Sequence, residues 1–333
     1  VLVVCVLVAW PVGAGAEWEN RMEIRFCGYD KSETLTNFPA LVVLNTNLTG
    51  FSYEDFHTPD DPGDLRFKNS NETVFLNYEV EKWDTNGNSY VWVQVPKLVD
   101  SNTTIWAYWN NTVETNSPAY TTNGATWSEG FAGVWHLDET SGNHEDSPSN
   151  DRTGTPEGGV TMDAAGQVDG GDTLEGTDDN IDVSYKGVTG TGSRTVMAWG
   201  KTSNTGVKNT IVSWGINNAL NPGEKWNLLT DIGSGALRVE VRSGSKVAVT
   251  DVTDGDWHHM VAVRDESLNQ NRLYVDGALV GSSFHDYTAG FEAATSLGIG
   301  YMAYNHNPDY YYDGLLDEVA LYSRALTEPE ILD

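Results

Sequence analysis

WHHMVAVRDESLNQNRLYVDGALVGSSF, residues 257–284, is the stretch on which the fold turns. Apolar and polar side chains alternate through WHHMVAVRD (257–265) and again through NRLYVDG (271–277). A period of two is the mark of a strand with one face turned inward. Trp257, His259, Val261 and Val263 share a face, read as the core face, with His259 satisfied there by a neighbour. His258, Met260 and Arg264 read as outward. Asp276-Gly277 sits between two such runs, and that dipeptide suits the positive φ angles of a two-residue hairpin. The spacing predicts antiparallel strands closing on a shared interior.

The same alternation recurs from Phe131 to Tyr322. FAGVWHL (131–137), RTVMAWGK (194–201), NTIVSWG (209–215), KWNLLTD (225–231), ALRVEVR (236–242), SLGIGYM (296–302) and YDGLLDEVALYSR (312–324) are its clearest members. An earlier set lies in MEIRFCGY (22–29), ALVVLN (40–45), DLRFKN (64–69), VFLNYEVEKW (74–83), YVWVQVP (90–96) and TIWAYWN (104–110). In YVWVQVP, Val91, Val93 and Val95 form the core side, and Tyr90, Trp92 and Gln94 the other. The expectation is an all-β chain: a small N-terminal sandwich over 17–122, a linker at 123–126, and a larger jelly-roll sandwich over 127–333. The one marked helix start is Thr327-Glu328-Pro329-Glu330, a capping box with Pro in the first turn. The sequence stops at Asp333, inside that segment, and a longer natural chain is expected.

Composition narrows function. The 333 residues hold 48 Asp and Glu against 19 Lys and Arg, a formal charge of −29. Nucleic acid and anionic membrane surfaces are poor partners for such a chain, because both require clustered cations. Divalent cations suit its oxygen donors. Residues 1–9, VLVVCVLVA, run apolar into small residues at Ala14 and Ala16. They read as part of a signal peptide over 1–16, cleaved before Glu17. The run is too short to span a bilayer, and no membrane insertion is expected of the mature region. With Cys5 assigned to the leader, Cys27 stands alone and no internal disulfide is expected.

Two resemblances rest on particular stretches. GVWHLDE (133–139), DSPSNDRTG (146–154), TLEGTDDNIDV (173–183), TVMAWGK (195–201), DGDWHHMVAVRD (254–265), NRLYVDGALVG (271–281) and GLLDEVALYSRALTEPEI (314–331) resemble the laminin G-like, concanavalin A-like jelly roll across 127–333. GDLRF (63–67), NYEVEKWD (77–84), YVWVQVPKL (90–98) and IWAYWNN (105–111) resemble the bacterial domain-of-unknown-function family DUF2341 across 18–110. The first resemblance implies carbohydrate or protein binding and a calcium ion near the sheet rim. The second implies a β-sandwich and export, without an activity. Together they imply a secreted or cell-surface protein.

Candidate site residues follow. Asp317 lies among apolar residues in GLLDEVALY, and a carboxylate there needs a partner or a cation. The resemblance implies calcium ligation by Asp317 with Asp146; Asp151 and Asp178 are further oxygen donors. The alternative for Asp317 is a buried carboxylate accepting backbone N–H groups. Tyr301, Tyr304, His306, Tyr310 and Tyr311 form an aromatic, polar loop suited to sugars or protein partners. Glu79 and Glu81 lie two apart on a strand, about 6.5–7 Å between Cα atoms, and are the weak candidates for a glycoside hydrolase pair. Three functions are therefore open: a carbohydrate-binding module with structural calcium, a structural or adhesion domain of a larger surface protein, and a glycoside hydrolase.

Overall fold

Apolar alternation of this density can be buried only by pairing sheets face to face, and both halves of the chain do so. The computed structural model describes residues 5–11, 18–148, 151–215, 225–241, 246–284, 296–303 and 310–331. The chain divides into two compact units, one through Glu129 and one from Gly130. Among the described residues both are all-β, with short 3-10 turns and no α-helix.

The first unit holds β1 (Cys5–Pro11), β2 (Asn20–Arg25), β3 (Leu35–Leu44), β4 (Arg66–Asn69), β5 (Tyr78–Lys82), β6 (Ser89–Leu98) and β7 (Thr104–Trp109). One sheet runs β1-β2-β7-β4 and the other β3-β6-β5. Val91, Val93 and Val95 face the core, as the alternation requires. The apolar run read as a leader pairs here as strand β1 against β2. Cys27 is disulfide-bonded, against the expectation that it stands alone. That expectation followed only from assigning Cys5 to the leader. Trp127, expected to open the second domain, belongs to the first unit. Residues 125–128 fasten to it through Gln94 Nε2, which donates to the carbonyls of Ala125 and Thr126 at 3.1 and 3.0 Å.

The second unit begins with β8 (Phe131–Trp135), β9 (Gly154–Glu157), β10 (Thr161–Ala165), β11 (Gly170–Glu175), β12 (Asn180–Val183), β13 (Arg194–Lys201) and β14 (Thr210–Gly215). It continues with β15 (Lys225–Thr230), β16 (Ala236–Glu240), β17 (Lys246–Asp251), β18 (Trp257–Asp265), β19 (Gln270–Val275), β20 (Ala278–Phe284), β21 (Leu297–Ile299) and β22 (Asp313–Tyr322). An eight-stranded sheet runs β10-β11-β22-β13-β18-β19-β20, with β8 also on β22. A seven-stranded sheet runs β17-β16-β15-β14-β21-β12-β9. Trp135, Trp214 and Trp226 fill the space between them.

Two face assignments change. In β18 the sandwich core takes Met260 and Ala262, while Trp257, His259, Val261 and Val263 line the opposite face. Val261 and Val263 are nevertheless fully buried. The C-terminal segment crosses the same outer face beside Val263, bonded to Thr195 Oγ1 through Leu326 N at 3.1 Å. A strand covered on both sides looks apolar on both sides, so alternation cannot tell core from cover. In β22 a bulge at Glu318, which has φ 51°, shifts the pairing with β13 between Met197 and Trp199. Leu316, Val319 and Leu321 therefore face the core, and Asp317 points the other way. The capping box at Thr327 closes a 3-10 turn, Glu328–Glu330, rather than an α-helix.

Candidate functional site

The four aspartates expected to hold calcium occupy separate surroundings. Asp317 is fully buried, roofed by the β10–β11 turn. Its Oδ2 accepts from Gln167 N and Val168 N at 2.7 and 2.8 Å, and its Oδ1 has no hydrogen-bond partner. This is the backbone-bonded alternative of the sequence reading. Burial and the neighbouring Glu318 hold its pKa well above the usual carboxylate range. Asp146 is also fully buried; its Oδ1 accepts from Val134 N at 3.0 Å, and Arg152 Nη1 lies 3.8 Å from Oδ2. Asp151 and Asp178 are exposed. Among the described residues, no three of these four bring a ligand oxygen within 4.8 Å of one another.

What does assemble is a histidine between two carboxylates. His144, fully buried, places Nδ1 2.6 Å from Glu139 Oε2 and Nε2 2.9 Å from Asp172 Oδ2. Backbone pairing of His144 with Gly154, 2.8 Å in both directions, pins its loop to β9. Asp172 on β11 stands opposite Leu316, on the core side of the sheet. Burial works against the imidazolium, but the carboxylates of Asp172 and Glu139 beside it outweigh burial and push its pKa up to about 9. Asp172 is pushed up by burial in spite of the imidazolium beside it. Nearby, burial raises Asp138 to about 6, and His136 Nδ1 lies 2.8 Å from Glu318 Oε1. Sequence reading did not find this group. His144 meets Asp172, and His136 meets Glu318, across long stretches of chain that no local spacing marks.

The tyrosine loop divides. Tyr301 and Tyr311 are buried and stacked, ring centroids 6.1 Å apart, and the Tyr301 hydroxyl donates to Asp182 Oδ1 at 2.6 Å. Both pack at the sheet edge, for which tyrosine is suited as well as for a sugar. Tyr304 and His306 lie outside the described residues. Tyr310 is half-buried under Lys208, whose Nζ stands 5.2 Å from the ring centroid. Lys208 belongs to a charged network reaching β15 and β16. Glu240 is bonded by Lys225, lies 3.0 Å from Arg238 Nη2 and 3.6 Å from Lys208 Nζ; Arg238 Nη1 also reaches Asp231 at 2.7 Å. Burial opposes ionisation of Glu240, but the three cations hold its pKa low. Core residues Trp226, Leu228, Leu237 and Val239 alternate with Lys225, Arg238 and Glu240, so the network stands on the outer face of the seven-stranded sheet.

Glu79 and Glu81 each accept a hydrogen bond from an indole. Trp127 Nε1 donates to Glu79 Oε2 and Trp92 Nε1 to Glu81 Oε2, each at 2.6 Å. The two indoles touch, with centroids 5.4 Å apart. A register shift between Val80 and Lys82 turns Trp83 toward the core, away from the glutamates, where it meets Tyr53 and Phe56.

Residues 175–332 match the family model of the concanavalin A-like lectin/glucanases superfamily, and residues 61–148 match the domain of unknown function DUF2341. The C-terminal segment is a concanavalin A-like jelly roll. No curated protein matches the chain. Among solved structures, it is similar to the binding domain of Paraclostridial Mosquitocidal Protein 1 (16% identity, 61% of this chain and 51% of that one, TM-score 0.47). It is also similar to domain 4 of AbnA, a GH43 extracellular arabinanase from Geobacillus stearothermophilus, in complex with arabinotriose (19%, 61% and 96%, 0.48). A third is the Ruminococcus gnavus IT-sialidase CBM40 bound to α2,3-sialyllactose (15%, 48% and 94%, 0.42). The chain spans about half the length of the first of these. No helix among the described residues is long and apolar enough to cross a membrane.

The jelly roll's resemblance implies calcium, and the residues present do not fit it at the expected positions. A calcium ion takes about 6–8 oxygens. Asp146 instead faces the guanidinium of Arg152, which also donates to the Ala132 carbonyl and lies 4.3 Å over the Tyr185 ring. Asp172 faces imidazolium. The jelly roll answers these buried carboxylates with its own cations.

Proposed function

We propose that this chain is an extracellular carbohydrate-binding module, secreted or displayed at the cell surface, whose jelly roll takes a polysaccharide on the outer face of the seven-stranded sheet. The observation that carries the reading is the network of Lys208, Lys225, Arg238, Asp231 and Glu240 beside Tyr310. Its side chains hold one another in place, so hydroxyl donors and acceptors meet groups that are already oriented. Their side chains are 10–27% exposed, within reach of a ligand and shielded enough for hydrogen bonds to count. Calcium at Asp146, Asp151, Asp178 and Asp317 is not part of the proposal, and neither is hydrolysis by Glu79 and Glu81.

Affinity electrophoresis through gels cast with soluble polysaccharides tests the reading. Wild-type protein is retarded by at least one neutral glycan, and Lys208→Gln with Arg238→Gln, folded by circular dichroism, is not. Equal mobility of wild type and variant in every gel defeats it. The second reading, an adhesion domain, has an observation of its own. Val249 on β17 and Phe284 on β20 are 95% and 74% exposed, on the outermost strand of each sheet. Pull-down on a surface-protein fraction that is lost in Val249→Ser with Phe284→Ser would favour it.

A further inference from the structure

The DUF2341-like unit has a cleft of its own. We propose that this cleft, of about 450 Å³ and walled by Trp18, Phe75 and Val113 opposite Asn111, Glu114 and Arg66, binds a neutral saccharide independently of the jelly roll.

The cleft is built by two segments pinned to the outer side of β4. Phe75 pairs with Lys68 across an isolated bridge. On the other side, Asn111 N donates to Asp64 Oδ2 at 2.9 Å, and Asn111 Oδ1 accepts from Val113 N and Glu114 N at 2.7 and 3.0 Å. Arg66 ties the same loop down through the Asn116 carbonyl at 2.9 Å. The walls are therefore fixed before any ligand arrives. Their volume lies within the range of about 300–1,000 Å³ usual for small-molecule sites.

The lining selects the ligand class. Phe75 is 45% exposed and meets Trp18 with centroids 5.6 Å apart; Val113 is 83% exposed. An exposed aromatic and a valine in one cleft offer a platform for the C–H face of a pyranose ring. Lys68 Nζ sits 4.7, 4.8 and 5.3 Å from the rings of Phe75, Tyr108 and Trp18, a cation–π cage that holds the platform rigid. The facing wall brings the Glu114 carboxylate, 61% exposed and 3.7 Å from Arg66 Nη2, as an acceptor for ring hydroxyls. A phosphate or carboxylate ligand would have to displace Glu114 from Arg66, the cation that lines the cleft. Arg66 is committed to the carbonyls of Gly63, Leu65 and Asn116, and Lys68 is enclosed by aromatic rings. A purely apolar ligand would take water from the Glu114 carboxylate and return no hydrogen bond. A neutral, hydroxyl-bearing ring satisfies both walls.

The test uses the full chain labelled with 5-fluorotryptophan, the Trp18 resonance being assigned by Trp18→Phe. D-Glucose, D-galactose, D-mannose and N-acetyl-D-glucosamine are titrated singly. At least one shifts the Trp18 signal saturably, and both Phe75→Ala and Val113→Asp weaken that binding about tenfold, the equivalent of about 1.4 kcal/mol. Val113 is exposed, so that variant keeps the test open if Phe75→Ala misfolds. A Trp18 signal unmoved by all four sugars, or moved equally in the folded variants, overturns the proposal. Resonances of Trp199, Trp214 and Trp226 report on the jelly roll separately, so loss of one site is not mistaken for loss of the other.

Discussion

Raising the pH from 6.5 to 9.5 should loosen the jelly roll through one residue, His144. Its pKa rises from 6.5 to about 9 on folding, so the folded state binds a proton that the unfolded state releases. The stabilisation is complete below about pH 6.5 and is lost as the pH climbs through about 9. At 1.36 kcal/mol per pH unit the rise corresponds to about 3 kcal/mol. The side chain and its partner Asp172 are both fully buried, so solvent screening takes little from that figure. Asp172 and Asp138, both pushed up by burial, have the same sign but act earlier, above the ordinary carboxylate range. For a unit of about 200 residues, 3 kcal/mol corresponds to about 6–12 °C in Tm. Calorimetric melts at intervals across this range, on wild type and His144→Asn, measure it. The variant begins lower, because Asp172 and Glu139 lose their cation, and its Tm changes little between pH 6.5 and 9.5. The imidazole proton resonances of His144 should titrate near pH 9. A wild-type Tm that is flat across the range, or a variant with the same slope, would refute the assignment of imidazolium to this site.

Chelator should leave the jelly-roll melt unchanged, and added calcium should not raise it, since Arg152 and His144 already face the carboxylates; a calorimetric scan with EDTA and with calcium chloride checks this. Asp317→Asn should be neutral or stabilising in urea melts, because an amide oxygen can still accept from Gln167 N and Val168 N without burying charge. Asp317→Ala should cost about 1–3 kcal/mol, the penalty for orphaning those donors.

Much of the fold was legible because sheets leave a period-two signature in any window. The valines of β6 and the Asp276-Gly277 hairpin between β19 and β20 needed only local residues. The errors fall where a local rule meets a non-local fact. Glu318 adopts a left-handed conformation, and that single bulge reverses the side on which Asp317 lies. The shift after Val80 does the same to Trp83. Neither residue is a glycine or proline that would announce the irregularity. The site was less legible still. Asp146 and Asp317 were found by their chemistry, but the His144 imidazole that balances the interior comes from a loop residue with no pattern around it. Glu139 is five residues away, yet Asp172 lies on β11, in the other sheet from the β9 strand to which His144 is tied.

Several of the few basic side chains of this acidic chain serve its interior. Arg194 and Arg264 are almost fully buried, and Arg194 donates to the carbonyls of Val188, Gly190 and Gly192. Arg324 closes on Glu330 at 2.7 Å, and Arg238 and Lys225 close on Glu240. These basic side chains are turned inward or paired, while much of the excess of Asp and Glu remains at the surface. Such a surface repels anionic polymers and relies on shape and hydrogen bonding to hold a ligand. Hydroxyl groups ask for carboxylate and amide acceptors, not for net positive charge. The acidic exterior and the inward cations therefore favour the same class of partner, a glycan recognised by fixed polar groups and an aromatic face.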